Sequence, residues 1–146
     1  MRISGVIEEA YKYLWQAYIM ELEGKNNEAI KNYEKIVNDK SYGDSANYKL
    51  GTYYLGKSDY KKSRGYFEKV LEFETSLNSE RAQYNIGITY EKEKDYLKAV
   101  SSFLKIKLLV EDSTLDDLIL IKLGENYEKL NDSNKSYEYF KEYYTK

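Results

Sequence analysis

One pattern of small and aromatic residues occurs four times along the chain, and it limits the fold more than any other feature. Each copy has a small residue, a large one three positions later, a second small residue twelve positions after the first, and an aromatic sixteen after it. The four sets are Ala17, Met20, Ala29 and Tyr33; Gly51, Tyr54, Ser63 and Phe67; Gly87, Tyr90, Ala99 and Phe103; and Gly124, Tyr127, Ser136 and Phe140. Successive copies are 34, 36 and 37 residues apart. This period is typical of stacked helical hairpins, so the sequence predicts an all-α solenoid.

The same pattern predicts eight helices in four antiparallel pairs. They are expected at residues 4–23 and 27–38, 44–56 and 59–73, 79–93 and 95–109, and 115–130 and 133–144. The second helix of each pair continues an apolar stripe to Ile36, Val70, Ile106 or Tyr143. Because one pair cannot bury this stripe alone, the pairs should stack into a single domain over residues 1–146. Its copies lie near 10–43, 44–79, 80–116 and 117–146.

Turn and capping residues separate the predicted helices. Gly24 and Gly56 suit the left-handed position that ends a helix. The predicted N-caps of the second helices are Asn26, Ser58, Asp95 and Asp132. Thr114 followed by Asp117 resembles a capping box at the start of the fourth pair.

Composition excludes several classes of function. The chain has no Cys and no His, which argues against thiolate catalysis, His acid–base chemistry and the common zinc sites. A net charge of -2 argues against a nucleic-acid partner, and no apolar run approaches membrane-spanning length. No leader is recognised, so the compartment stays undecided: cytoplasmic by default, periplasmic or cell-envelope if a leader has been removed. No cofactor is expected.

With these positions in view, the chain resembles the tetratricopeptide repeat family. The third copy matches best, from Tyr84 through Gly87, Tyr90 and Asp95 to Ile106, and the resemblance covers nearly the whole chain. The first copy is atypical, since Ala17 replaces the usual glycine and Trp15 is out of the usual phase. The closing proline of the family is absent throughout. The two longer junctions, around residues 78–79 and 115–116, are similar to those of bacterial cell-envelope members of the family. The resemblance implies a right-handed α-solenoid of four hairpins.

The resemblance also implies a site, because tetratricopeptide domains hold peptides or protein segments in a concave groove lined by first helices. The matching positions are Tyr11, Leu14, Tyr18, Tyr48, Thr52, Leu55, Arg81, Tyr84, Ile88, Lys122 and Glu125. Several of these rings could instead pack between adjacent repeats. A sub-class clamps a terminal carboxylate with Lys and Asn. Here Tyr48 and Thr52 stand in their places, although Asn85 and Lys122 match, so the sequence disfavours a clamp.

One motif in the chain suggests a different function. Residues 51–58 satisfy the phosphate-loop pattern, from Gly51 to Gly56, Lys57 and Ser58. That chemistry needs a strand before the loop and a helix after it. Since Gly51 is a repeat position inside a predicted helix, we interpret these residues as a helix and its turn. The carboxylate clusters along the chain are interpreted as solvated faces.

The last predicted helix presents aromatic residues that its own hairpin does not fully cover. They are Tyr137, Phe140, Tyr143 and Tyr144. Three explanations are open: a longer parent protein, a self-associating face, or a tolerated tyrosine surface. The function predicted from the sequence is a non-catalytic adaptor for a peptide or protein partner. The alternative is a structural module that forms homo-oligomers through this last face.

Overall fold

The computed structural model describes residues 5–74 and 77–146, with side chains described from 9 to 74 and from 78 to 146. These residues form helices joined by turns. The helices are α1 (Gly5–Leu22), α2 (Asn26–Glu34), α3 (Gly43–Gly56), α4 (Tyr60–Val70), α5 (Leu77–Lys92), α6 (Tyr96–Leu104), α7 (Ile106–Leu109), α8 (Asp116–Lys129) and α9 (Ser133–Tyr144). The all-α prediction is confirmed. The predicted start of the first helix at Ser4 lies outside the described residues.

Two of the second helices end earlier than predicted, a third is interrupted, and the fourth, α9, has the predicted bounds. α2 ends at Glu34 rather than residue 38, α4 ends at Val70 rather than residue 73, and the third is divided at Lys105 into α6 and α7. After α2 and α4 the chain continues with tighter bonds between residues three apart, such as Ile36 N–H to Tyr33 O at 3.1 Å. The apolar stripe continues through these turns, so hydrophobic periodicity could not reveal where the α-helices stop.

The chain separates into two compact units, Met1–Glu74 and Thr75–Lys146, with two hairpins each. The core of the first unit consists of Ala10, Leu14, Ala17, Ala29, Tyr33, Ile36, Ala46 and Leu50. The core of the second consists of Ala99, Val100, Phe103, Ile106, Ile119 and Leu123. In both units the first helix of the later hairpin contributes two apolar residues to the core of the earlier one. The prediction of a single domain over residues 1–146 stays a prediction.

Every hairpin turn has a left-handed residue at the same position of the repeat. These residues are Gly24, Ser58, Lys94 and Asn131, with φ angles of 77°, 60°, 62° and 60°. Gly24 was predicted correctly. The prediction for Gly56 is wrong because it is the last residue of α3, and the turn tightens two residues later. Glycine fits this conformation best, so the other three turns accept strain from a side chain.

Aspartates cap the second helices of three hairpins. Asp59, Asp95 and Asp132 accept hydrogen bonds from the backbone N–H three residues later at 3.3, 3.2 and 3.1 Å. The predictions for Asp95 and Asp132 are confirmed. The prediction of Ser58 is wrong, because Ser58 is the left-handed residue before the cap. The prediction of Asn26 is also wrong, since it is the first residue of α2.

The start of α2 lacks a side-chain cap because Lys25, which cannot accept a hydrogen bond, occupies the cap position. The predicted capping box at the start of the fourth hairpin is wrong too. The cap residue of α8 is Leu115, without a side-chain cap bond. Ser113 supplies the acceptor nearby, because its hydroxyl oxygen accepts from the Leu115 N–H at 3.0 Å. Its Oγ also donates to Glu80.

A lysine–tyrosine contact holds each capped turn against the preceding helix. The residue that donates its N–H to the capping aspartate is Lys62, Lys98 or Lys135. Its ammonium group lies over the ring of Tyr54, Tyr90 or Tyr127, at 4.3, 5.7 and 5.2 Å from the centroid. We call this combination of cap and cation–π contact the turn latch. Hairpin one has Met20 and Glu28 at the equivalent positions.

Candidate functional site

Close helix contact in each hairpin fixes the direction of the first-helix side chains. A Cβ placed on Gly51, Gly87 or Gly124 would lie 2.6, 2.5 or 2.7 Å from the ring of Phe67, Phe103 or Phe140. Only a residue without a side chain leaves room for these rings. The predicted role of the small residues is therefore confirmed in the last three hairpins.

The second small residue adds a hydrogen bond in two hairpins. Ser63 Oγ donates to Gly51 O at 2.7 Å, and Ser136 Oγ donates to Gly124 O at 2.9 Å. Since a helical carbonyl can accept a second bond, this contact ties the two helices together without disturbing either. Ala29 and Ala99 provide only the close approach. The result is a rigid support for the outward-facing side chains of the first helix.

In the first unit the predicted groove residues occupy different environments. Tyr48 is half-buried, with its ring 5.8 Å from that of Phe67, and Tyr18 lies 6.1 Å from Tyr33. Tyr11 is exposed, whereas Leu14 belongs to the core and offers little surface to a ligand.

The remaining candidates of the first unit are both half-buried on α3. Thr52 Oγ1 donates to Lys49 O at 2.8 Å, which leaves the hydroxyl oxygen free to accept a further bond. Leu55 is one helical turn further along. Together with Tyr48, these residues lie at intervals of three and four on one side of the helix.

In the second unit Tyr84 occupies the position equivalent to Tyr48. Its ring lies 5.5 Å from that of Phe103, and burial raises the pKa of its hydroxyl. Ile88 is half-buried one turn later, while Arg81 and Glu125 are exposed. Tyr48 and Tyr84 are thus each held by the aromatic of the facing helix at the same repeat position.

An ion pair joins the first helices of neighbouring hairpins at the same repeat position in both units. Lys49 Nζ lies 3.2 Å from Glu21 Oε2, and Lys122 Nζ lies 3.0 Å from Glu91 Oε1. Burial alone would lower the pKa of Lys122, but the hydrogen bond and charge of Glu91 outweigh it and the pKa is raised. Asn126 Nδ2 donates to the other Glu91 oxygen at 2.8 Å.

Sequence reasoning missed both ion pairs. In each pair the glutamate lies four residues after the first small residue of one copy. The lysine lies two residues before the first small residue of the next copy. Aligning the four copies by their small residues would have revealed this combination in two of the three junctions. The resemblance alone gave Lys122 as a ligand-binding residue, yet its ammonium group is already paired.

A cleft lies beside each of these junctions. In the first unit it measures about 520 Å³ and its lining includes Asn27, Thr52, Tyr53 and Lys57. In the second unit it measures about 280 Å³ and its lining includes Glu125. The two clefts share most of their repeat positions. Two predicted groove residues, Thr52 and Glu125, thus line equivalent clefts.

The largest exposed apolar surface on a first helix lies on α1, and the sequence prediction did not include most of it. Tyr11, Trp15, Ile19 and Leu22 are 50, 48, 52 and 89% exposed. We call these four residues the α1 stripe. Their spacing is that of a core-facing helix, so periodicity could not tell this exposed face from a buried one.

The aromatic residues of α9 divide into an inner and an outer group. Phe140 packs on Gly124 inside its own hairpin. Tyr137 and Tyr144 are 64 and 80% exposed, and Tyr143 is half-buried. In hairpin three the residue equivalent to Tyr137 is Val100, which is buried in the core shared with the following hairpin.

The remaining features limit the chemistry. Residues 51–56 are helical, so the phosphate-loop pattern does not form a phosphate-binding loop. The described residues contain no group of three or more acidic side chains placed to hold a metal ion. No helix in that part of the chain is long and apolar enough to span a bilayer.

Comparison with known proteins finds a family model and similar solved structures. The model of the family described as tetratricopeptide repeat matches residues 44–76 and 80–109. The crystal structure of MamA is similar at a TM-score of 0.76 and 18% identity, covering 93% of this chain and 77% of MamA. BtubC (BKLC) from P. vanneervenii is similar at a TM-score of 0.75 and 17% identity, covering 93% of this chain and 62% of BtubC. The likeness confirms the predicted fold class.

Proposed function

Because the tetratricopeptide repeat model matches residues 44–76 and 80–109, we propose that the chain is a non-catalytic scaffold that binds an extended or helical segment of a partner protein along its first helices. Repeats of this family and the scaffold character of the fold support protein–protein interaction in general. The observation that carries the proposal is the pair of fixed tyrosines, Tyr48 on Phe67 and Tyr84 on Phe103. Such rigid aromatic side chains lose little conformational entropy on binding.

The polar groups around these tyrosines would orient the bound segment. Thr52 and Glu125 line the clefts at the hairpin junctions, where they can accept hydrogen bonds from backbone N–H groups of a ligand. The paired state of Lys122 assigns it a supporting role, since binding an anion would require breaking its contact with Glu91. The proposed ligand is therefore bound through aromatic contacts and hydrogen bonds to Thr52 and Glu125 rather than through a carboxylate clamp.

Co-purification from the native host tests this proposal. The wild type is compared with a Tyr18, Tyr48, Tyr84→Ala triple variant and with a control double variant in which Tyr13 and Tyr60 are replaced by Ala, each checked by circular dichroism for folding. We expect a partner that the wild type and the control retain and the groove variant loses. Equal recovery by all three would contradict binding at these tyrosines.

The exposed tyrosines of α9 favour a second function, self-association through the last hairpin. Val100 is buried by the following hairpin, whereas its equivalent, Tyr137, is 64% exposed. An added helix or another molecule at this face would bury Tyr137 and Tyr144. This second function is tested by measuring the molecular mass against concentration for the wild type and for a variant with Tyr137 and Tyr144→Ser. A dimer that persists in the variant would contradict association through α9.

A further inference from the structure

We propose that the α1 stripe, Tyr11, Trp15, Ile19 and Leu22, is a dimerisation surface that receives the α1 stripe of a second copy of this chain in antiparallel orientation. This stripe shares no residue with the tyrosines Tyr48 and Tyr84 or with the aromatic residues of α9. Dimerisation goes beyond the proposed scaffold function, because it involves a surface and an occupant that partner binding does not require.

The stripe is not a stacking surface for another hairpin of the same repeat. The residues of α3 and α8 that pack against the preceding hairpin are Ala46 and Leu50, and Ile119 and Leu123. At the equivalent positions α1 has Lys12 and Gln16. A preceding hairpin in register would bury the charge of this lysine, which is costly unless an acidic side chain pairs with it. The exposed apolar residues of α1 lie on a neighbouring side of the helix.

The order of residues along α1 makes the stripe self-complementary. Tyr11 and Leu22 form the outer pair of the stripe, and Trp15 and Ile19 form the inner pair. The midpoint of each pair along the sequence lies within one residue of Ala17. When a second α1 runs antiparallel across it, Tyr11 therefore meets Leu22 of the other copy and Trp15 meets Ile19. A two-fold axis produces every such contact twice. The four residues span eleven positions, about 16 Å of helix.

The charges beside the stripe fit the same arrangement. Lys12 follows Tyr11, and Glu23 follows Leu22, so the two charged residues are eleven positions apart. Because eleven residues make about three helical turns, both charges lie on the same edge of the helix. In an antiparallel pair this edge faces the same edge of the other copy, which places each Lys12 opposite Glu23. Both side chains are exposed. Glu23 also lies 2.9 Å from Lys25, which leaves its other oxygen available.

Aromatic neighbours hold the stripe in shape before association. The Trp15 ring lies 6.0 Å from Tyr11 and 5.5 Å from Tyr18, in edge-to-face contacts. Tyr11 also lies 5.9 Å from Tyr42. Fixed rings lose less rotamer entropy when they are buried, which favours binding. One helix face is nevertheless a small interface, so we expect micromolar rather than nanomolar dimerisation.

The experiment uses the purified chain without ligand, and Trp15, its single tryptophan, is the reporter. Sedimentation equilibrium measures mass from low to several hundred micromolar concentration, while tryptophan emission is recorded over the same range. We expect a monomer–dimer transition with emission moving to shorter wavelength, because the indole leaves water. A monomer at every concentration overturns the proposal. A dimer whose emission does not move also overturns it, and indicates association elsewhere, such as at α9.

Variants test the surface and then the orientation. Ile19 and Leu22→Ser keeps the reporter and should abolish the dimer, whereas Leu97 and Leu108→Ser, equally exposed leucines of the second unit, should not. Lys12→Glu or Glu23→Lys should each weaken the dimer on the order of tenfold, and the double variant should restore it. Loss of the dimer in the Leu97 and Leu108 control variant would overturn the assignment of this surface. Failure of the double charge variant to restore the dimer would overturn the antiparallel pairing. Because no ligand is present in these measurements, a negative result for the dimer does not bear on partner binding at Tyr48 and Tyr84, which the co-purification experiment tests.

Discussion

Adding one methyl group to Gly87 measures how closely the two helices of a hairpin approach. In Gly87→Ala the new Cβ would lie 2.5 Å from Phe103 Cε1 and 2.8 Å from two further ring atoms. Phe103 is completely buried, so the ring cannot rotate away without moving its neighbours. Overpacking of this kind costs about 1–3 kcal/mol. The better helix propensity of alanine offsets about 1 kcal/mol of this cost, which leaves a net loss of up to about 2 kcal/mol.

Gly65→Ala is the matched control because it makes the same change where there is space. Gly65 is exposed in α4, and a Cβ there would meet nothing within 4 Å. This variant should gain about 0.5–1 kcal/mol from the reduced entropy of the unfolded chain. The two variants should therefore shift in opposite directions. Since each kcal/mol changes the melting temperature by about 2–4 °C, circular dichroism resolves the difference.

A double-mutant cycle assigns the loss to the named ring. Phe103→Leu shortens the side chain that the new methyl group would meet, so Gly87→Ala should cost less in that background by about 1 kcal/mol. Hairpin one supports an adjustable spacing, since Ala17 and Tyr33 stand at the same positions and both are fully buried. If Gly87→Ala proves as stable as Gly65→Ala, the reasoning from close helix approach is refuted.

Three further predictions concern single contacts. Asp132→Ala removes the cap of α9 and should lower stability by about 1 kcal/mol in urea unfolding; an unchanged midpoint would contradict a capping role. Lys122→Met should destabilise more than Lys49→Met, because the Lys122 and Glu91 side chains are 19 and 22% exposed and loss of the lysine leaves a partly buried carboxylate unpaired; equal melting temperatures would count against this. Lys57→Ala should leave the thermal unfolding curve in millimolar ATP unchanged, because residues 51–56 are helical, and an ATP-dependent stabilisation lost in the variant would contradict the structure.

The sequence predicted the contacts that repeat and missed those that depend on local hydrogen bonds. The small residue and the aromatic sixteen positions later were found because packing constrains both in every copy. The turns were harder, since Ser58, Lys94 and Asn131 adopt the left-handed conformation that the sequence suggested only for glycines. There the neighbouring aspartate cap and the close helix pair outweigh the intrinsic preference of each residue.

Prediction of the candidate site was limited by the ambiguity of apolar patterns. Tyr48, Tyr84 and Leu14 occupy one repeat position, yet Leu14 is buried in the core and the two tyrosines remain half-exposed. The α1 stripe shows the reverse, because its spacing resembles a core face. Helical periodicity reports which residues share a side of a helix, but the neighbouring hairpin decides whether that side is covered. The ion pairs of Lys49 and Lys122 were missed since their partners lie about thirty residues away.

The turn latch makes the four hairpins unequal in how readily they open. Hairpins two, three and four each fasten their turn with a capping aspartate and a lysine over tyrosine, whereas hairpin one has Lys25 and Glu28 at the corresponding positions. Fraying should therefore begin at the Gly24 turn, and its amide hydrogens should exchange with deuterium before those of the other turns. Protection against exchange would then rise from the first turn toward the latched ones, so the order in which the turns open is encoded by a few residues outside the core.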